Sequence, residues 1–260
     1  MKILITNDDG VHASGIIEFA QLLQKEHQVF MVAPRTEQSG ISQAITFLRP
    51  LFPIELGDLW ESDSPIPGFS IDGTPTDCVK LALSELCPFK PDLILSGINA
   101  GLNAGSNVFH SGTVAGAMAG AQFGIPSIAV SLEYSTNMNF KAASALAVPL
   151  VERALNTNWP ERIALNINIP QSALIAEHEV KVVPVETNPL GYSFDQGVDP
   201  KGRKYFWANN KPDPEPSSFA TDCSELKDGH VTVSPITFNI NADHDIQLFR
   251  DLNLTSTPAR

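Results

Sequence analysis

The sequence predicts an α/β fold, a mostly parallel sheet flanked by helices, with an extended C-terminal arm or hairpin and a short terminal helix. Three observations carry this. Over the first 170 residues, short apolar runs alternate with segments whose apolar residues recur at helical spacing, the order that gives parallel strands joined by right-handed crossovers. The apolar runs are continuous, as in strands buried on both faces. After Pro170 that rhythm stops, and residues 186–228 are rich in Gly, Pro, Asn and Asp.

The elements follow in order. Lys2–Thr6 reads as a buried strand and Gly15–Glu26 as a helix with Ile16, Phe19, Ala20, Leu22 and Leu23 at helical spacing. Val29–Ala33 is a second strand, closed by Pro34, and a polar loop, Arg35–Ser42, follows it. Residues 44–73 carry turn residues and short β-like runs without a clear period. Thr76–Leu86 reads as a helix, Asp92–Ser96 as a strand, and 97–110 as a Gly/Asn loop. A helix of small residues spans about Thr113 to Phe123. Pro126–Leu132 is a strand, Phe140–Leu155 a helix and Ile163–Ile169 a strand. Glu179–Val185 and His230–Pro235 are further strand candidates, and Asp245–Leu252 a terminal helix. Residues 1–185 are therefore expected to form one α/β domain, the one that carries the loops considered below. Residues 186–260 should form an arm, strand and helix for oligomerisation, the whole acting as one functional unit. Tyr192, Phe194, Tyr205, Phe206 and Trp207 on the arm argue for a partner surface, hence a homo-oligomer.

Composition narrows the function. The chain has 260 residues, 43% of them hydrophobic, with a formal charge of −12 and a pI near 4.8. Nucleic-acid duplexes are disfavoured as partners because phosphate contacts need clustered Lys and Arg. No basic amphipathic helix suits a membrane surface, and no run of about eighteen apolar residues spans a bilayer. Cys78, Cys87 and Cys223 form no disulfide framework, and no signal-peptide pattern opens the chain. A cytoplasmic protein is expected. An acidic protein that handles an anionic substrate needs a local cation, for which a metal ion is the direct choice.

Chemistry concentrates in three loops that follow strands of the parallel sheet: Asn7–Gly10, Arg35–Ser42 and Gly97–His110. Ligands in such sheets bind beyond the carboxyl ends of the strands. The first loop offers Asp8 and Asp9, the second Ser39, the third Asn99, Asn103 and Asn107. Oxygen ligands of this kind suit a hard divalent ion, Mg²⁺ or Mn²⁺. Each piece alone also fits a plainer role: the acidic pair a turn or cap, Ser39 a loop serine, the asparagines turn formers. The segment Ser111-Gly112-Thr113 opens a helix and fits either an anion site or ordinary N-capping. His12 and His110 are weak candidates for proton transfer. Neither a P-loop nor a dinucleotide fingerprint is present.

Several blocks in order resemble the SurE (survival protein E) nucleotidases: ITNDDGVHASGI at 5–16, VAPRTEQSGIS at 32–42, GTPTDCVKLAL at 73–83 and LILSGINAGLNAGSNVFHSGTVAGAMAG at 93–120, with LNINIP at 165–170. Matches are dense to about Pro170 and sparse beyond, and region 186–228 departs from the pattern. The resemblance implies a Rossmann-like, metal-dependent 5′-nucleotidase that cleaves nucleoside monophosphates to nucleoside and phosphate. It implies 3′-nucleotidase and exopolyphosphatase activities as options. One divalent ion per subunit would be held by Asp8, Asp9, Ser39 and Asn99, with Asp8 and Asp9 catalytic and Asn103, Ser111, Gly112 and Thr113 on the phosphate side. It also implies a C-terminal arm exchanged between protomers of a homodimer or homotetramer. Two rival readings are a haloacid-dehalogenase-type phosphatase with Asp8 as nucleophile, and a non-catalytic nucleotide-binding stress module. The first normally uses Asp-x-Asp spacing, whereas this pair is adjacent.

Overall fold

Alternating burial builds the centre of the molecule. In β1 (Lys2–Thr6), Ile3 and Ile5 face one layer of helices and Leu4 the other, all fully buried. This period-two split needs cover on both faces. α1 (Ser14–Leu23) supplies it on one side through Ile16, Phe19, Ala20 and Leu23. The computed structural model describes residues 1–57, 65–188, 193–209 and 217–241.

The chain continues through β2 (Gln28–Pro34), β3 (Pro53–Glu55), β4 (Gly68–Ile71) and α2 (Pro75–Leu81) to β5 (Leu93–Ala100). Then come α3 (Gly112–Gln122), β6 (Ser127–Leu132), α4 (Phe140–Leu155), β7 (Ile163–Ile169) and β8 (Val180–Val182). The hairpin strands β9 (Ser193–Val198) and β10 (Lys204–Asn209), α5 (Asp222–Lys227) and β11 (Val231–Thr237) complete the described elements. Nine described strands form one sheet in the order β3-β4-β2-β1-β5-β6-β7-β11-β8. From β4 to β7 all neighbours are parallel; β3 joins β4, and β11 joins β7, in antiparallel fashion. α1 and α4 cover one face, α2 and α3 the other.

Strand order reverses at β1. The chain winds outward through β2 and β4, then returns to place β5 on the other side of β1. The crevice beyond the carboxyl ends of β1 and β5 is thus the switch point where open α/β sheets bind ligands.

The structure departs from sequence expectation in four places. Residues 44–73, without a readable period, contain β3 and β4; β3 is three exposed residues on the sheet edge, too short and too wet to leave a pattern. The predicted helix over 76–86 starts at Pro75, after a capping box between Thr74 and Asp77, and turns π-helical from Ala82 to Leu86. β5 continues past Gly97 to Ala100 through a register shift, with Ser96 opposite Ala129 and Asn99 opposite Ser131. Gly97, at φ 131°, permits the irregularity. The arm stem contains α5, six residues hidden in a polar stretch. The arm itself is a two-stranded antiparallel hairpin on which Phe194, Tyr205, Phe206 and Trp207 are exposed. The C-terminal part also returns β11 to the main sheet, between β7 and β8. Tyr192, His244 and the predicted helix at 245–252 lie outside the described residues.

Candidate active site

β1 ends in Asn7-Asp8-Asp9-Gly10 at the switch point. Gly10, at φ 100°, bends the chain, and the Asn7 side-chain amide donates to the Gly10 carbonyl at 2.9 Å. The next residue, Val11, donates its N–H to the Pro34 carbonyl at the end of β2 (2.8 Å). The acidic pair therefore sits on a short, tied turn.

Each aspartate is joined to a different neighbour. Asp8 is buried, and its Oδ1 accepts from the Thr113 hydroxyl in the first turn of α3. Gly112 allows this approach, because a Cβ there would lie 2.8 Å from the Asp8 Cβ. Asp9 Oδ2 accepts from the Ala100 N–H at 3.1 Å, at the tip of β5 and adjacent to Asn99. The Asp8 carbonyl accepts from the Gln38 N–H at 2.7 Å, adjacent to Ser39. Three loops distant in sequence are thus stitched together beside the four candidate ligands Asp8, Asp9, Ser39 and Asn99.

The electrostatics follow from burial. Burial pushes the Asp8 carboxyl above its usual range, although the Thr113 hydroxyl and the amides of Gly112 and Thr113 pull it down. Burial pushes Asp9 up to about 6, and the charges of Asp8 and Glu37 add to the effect. Asn7 Oδ1 beside the pair, and Thr6 Oγ1 and Ser96 Oγ under α3 near Gly116, are buried without a hydrogen-bond partner among the described residues. A divalent cation beside the acidic pair would lower both carboxyls. Among the described residues no three His, Cys, Asp or Glu side chains gather as a metal cluster. The donor set expected from the sequence, two carboxylates with an amide and a hydroxyl, has the chemistry of a hard divalent ion and not of zinc.

The other sequence candidates divide. The Asn99 side-chain amide donates to the Gly101 carbonyl (2.8 Å), which orients its Oδ1. Ser39 is exposed and its hydroxyl donates to Glu37 at 2.7 Å. Asn103 is an anchor. Its amide donates to Ser131 Oγ (2.9 Å), its N–H to Asn168 Oδ1 (2.8 Å), and its carbonyl accepts from Asn166 and Asn168. The Ser111 hydroxyl accepts from the Val114 N–H and caps α3. The Thr113 hydroxyl and the amides of Gly112 and Thr113 all act on Asp8, so the first turn of α3 serves the acidic turn directly. His12 and His110 are exposed, and the His110 carbonyl accepts from the Ser42 N–H. Glu37 is the acidic residue that motif reasoning missed. Its only sequence signal is its place two residues before Ser39.

A family model described as Survival protein SurE matches residues 3–190. The chain belongs to the SurE family. A 5′-nucleotidase SurE from Rhodopirellula baltica is 43% identical over 256 residues, which cover 98% of this chain and 99% of the relative. A 5′-nucleotidase SurE from Thermoanaerobacter sp. (strain X514) is 35% identical over 259 residues, 98% and 99% of the two chains. The crystal structure of the SurE protein from Aquifex aeolicus superposes with a TM-score of 0.82 at 32% identity, over 97% of this chain and all of that one. SurE membership and the α/β fold expected from the sequence therefore stand. The sparse matching after Pro170 affects the family model's reach, not the full-length likeness to these relatives.

Proposed function

We propose that this SurE-family chain is a metal-dependent 5′-nucleotidase that hydrolyses nucleoside monophosphates to nucleoside and inorganic phosphate. The observation that carries it is the Asp8–Asp9 pair at the β1–β5 switch point, whose carboxyls burial raises despite the hydrogen bonds they accept, in a chain whose relatives bear the name 5′-nucleotidase.

Asp8, Asp9, Ser39 and Asn99 would hold one Mg²⁺ or Mn²⁺ ion. When bound, such an ion neutralises phosphate charge and lowers the pKa of a coordinated water. Asp9, the more exposed of the pair, orients the attacking water and takes up its proton. Asp8 supplies fixed negative charge from below. The segment Ser111-Gly112-Thr113 at the positive end of α3 would face the phosphoryl group, with the Gly112 and Thr113 amides acting on it through the Asp8 carboxylate they already bond. Asn103 holds the loop between β5 and α3 against β6 and β7. Adjacent aspartates do not offer the Asp-x-Asp spacing of the phosphoaspartyl rival.

The same reading takes the exposed arm aromatics as the contact of a homodimer or homotetramer, with residues 186–260 serving assembly. It also takes the protein as cytoplasmic, and no helix among the described residues is long and apolar enough to cross a membrane. The test is a phosphate-release screen over 5′- and 3′-nucleoside monophosphates and polyphosphate with Mg²⁺, Mn²⁺ or Co²⁺, and an EDTA control. Release from 5′-monophosphates that EDTA abolishes is expected. Nucleotide binding without turnover under every metal would overturn the proposal in favour of a non-catalytic module.

A further inference from the structure

We infer that Glu37 is a positioning residue of the metal site, acting through Ser39. This rests on the metal-site reading above and deepens it.

A serine hydroxyl is a weak ligand for a divalent ion, because it is neutral and its rotor is free. A hydrogen-bond acceptor for its proton changes both properties: it fixes the rotor and raises electron density on Oγ. In this structure the Ser39 hydroxyl donates to Glu37 Oε1 at 2.7 Å. Between these residues, the Gln38 N–H donates to the Asp8 carbonyl at 2.7 Å, so the segment is fastened to the acidic turn at its centre. The Glu37 carboxylate also lies close enough to Asp9 for its charge to act on that group.

A structural role explains these contacts poorly. Glu37 and Ser39 are both exposed, and a hydrogen bond between exposed side chains adds little to stability. Two like charges, Glu37 and Asp9, on neighbouring loops would by themselves push the loops apart. The arrangement becomes favourable when a cation sits between them, with Ser39 Oγ turned toward it and its proton turned toward Glu37. The carboxylate then serves as an outer partner that tightens an otherwise weak ligand.

The test is a double-mutant cycle read by metal binding, independent of turnover. Mn²⁺ affinity of the full chain is measured by titration calorimetry for wild type, Glu37→Ala, Ser39→Ala and the double variant, with melting temperature as a folding control. Glu37→Ala is expected to weaken Mn²⁺ binding about tenfold with an unchanged metal-free melting temperature. The same substitution is expected to have little further effect once Ser39 is alanine. Glu37→Gln, which keeps an acceptor oxygen, should recover part of the loss. Wild-type affinity in Glu37→Ala, or an equal loss with and without Ser39, overturns the inference while leaving the metal site intact. Absence of Mn²⁺ binding by the wild type would overturn the underlying site reading as well.

Discussion

Two pairs of carboxylates in this molecule are buried in opposite ways. At the switch point, Asp8 and Asp9 are adjacent, and burial outweighs the hydrogen bonds they accept and drives both upward, Asp9 to about 6. At the stem of the arm, Asp222 and Glu186 are also buried but saturated. Asp222 accepts backbone N–H groups from Gly105 (2.9 Å), Glu186 (2.8 Å) and Cys223 (2.8 Å). Glu186 accepts from the Asn188 and Ser217 amides and from the Ser217 and Thr221 hydroxyls. Burial alone would raise Glu186, yet these donors hold it below its usual range. A buried charge is tolerated when hydrogen bonds replace its water, and otherwise calls for a counter-ion. The stem pair is complete as folded and pins the arm to the loop between β5 and α3. At the switch-point pair, burial outweighs the hydrogen bonds instead.

The comparison is broken most directly at Asp9. Asp9→Asn should lower phosphate release about 10³-fold at saturating nucleotide, because Lewis-acid stabilisation is worth several kcal/mol. Its metal-free fold should survive, since a repulsive charge has gone. Near wild-type turnover with metal still bound would refute the role given to the pair.

Asp222→Ala should act on stability instead. It leaves three backbone donors without their acceptor, and a loss on the order of 3 kcal/mol in urea denaturation is expected. A loss well under about 1 kcal/mol would show that the stem pair is not the latch described.

Gly112→Ala should fall between these in character and below them in size. Its methyl group would displace Asp8 and weaken Mn²⁺ binding by roughly tenfold, a perturbation of one ligand's position. Unchanged Mn²⁺ affinity would show that Asp8 has room to yield.

The smallest effect is a difference in pH dependence. Folded pKa values raised above the ordinary 3.8 mean that Asp8 and Asp9 stabilise the metal-free protein in their neutral form. That contribution is complete below about 3.8 and fades as pH rises through about 6. Glu186, lowered from 4.5, behaves in reverse: its contribution is present above 4.5 and is lost as pH falls through its lower folded value. Added Mn²⁺ should therefore raise the melting temperature more at pH 8 than at pH 5, and the pH term should vanish in Asp8→Asn/Asp9→Asn. An equal metal shift at both pH values would contradict the assignment.

Much of this was legible beforehand, for a definite reason. Buried parallel strands write continuous apolar runs, and amphipathic helices write a 3.6-residue period, so β1, α1, β2, β6, α4 and β7 could be read within a few residues. β3, three exposed residues on an edge, writes nothing. β5 was cut short because Gly97 reads as a stop, whereas a register shift carries the strand on to Asn99.

The sequence by itself determined the α/β class, the acidic turn after β1, and which three loops share an edge, because these follow from local periodicity and strand order. Only the tertiary structure decided what each polar residue does there. Thr113 bonds Asp8 across 105 positions and Asp222 reaches Gly105 across 117; Asn103 is tied to Asn168 across 65. Hydrogen bonds over such separations leave no local pattern, since either partner alone reads as an ordinary cap or turn residue. The same holds for the charge of the site. Adjacent aspartates look like a solvated turn until burial over α3 removes their water and raises both carboxyls.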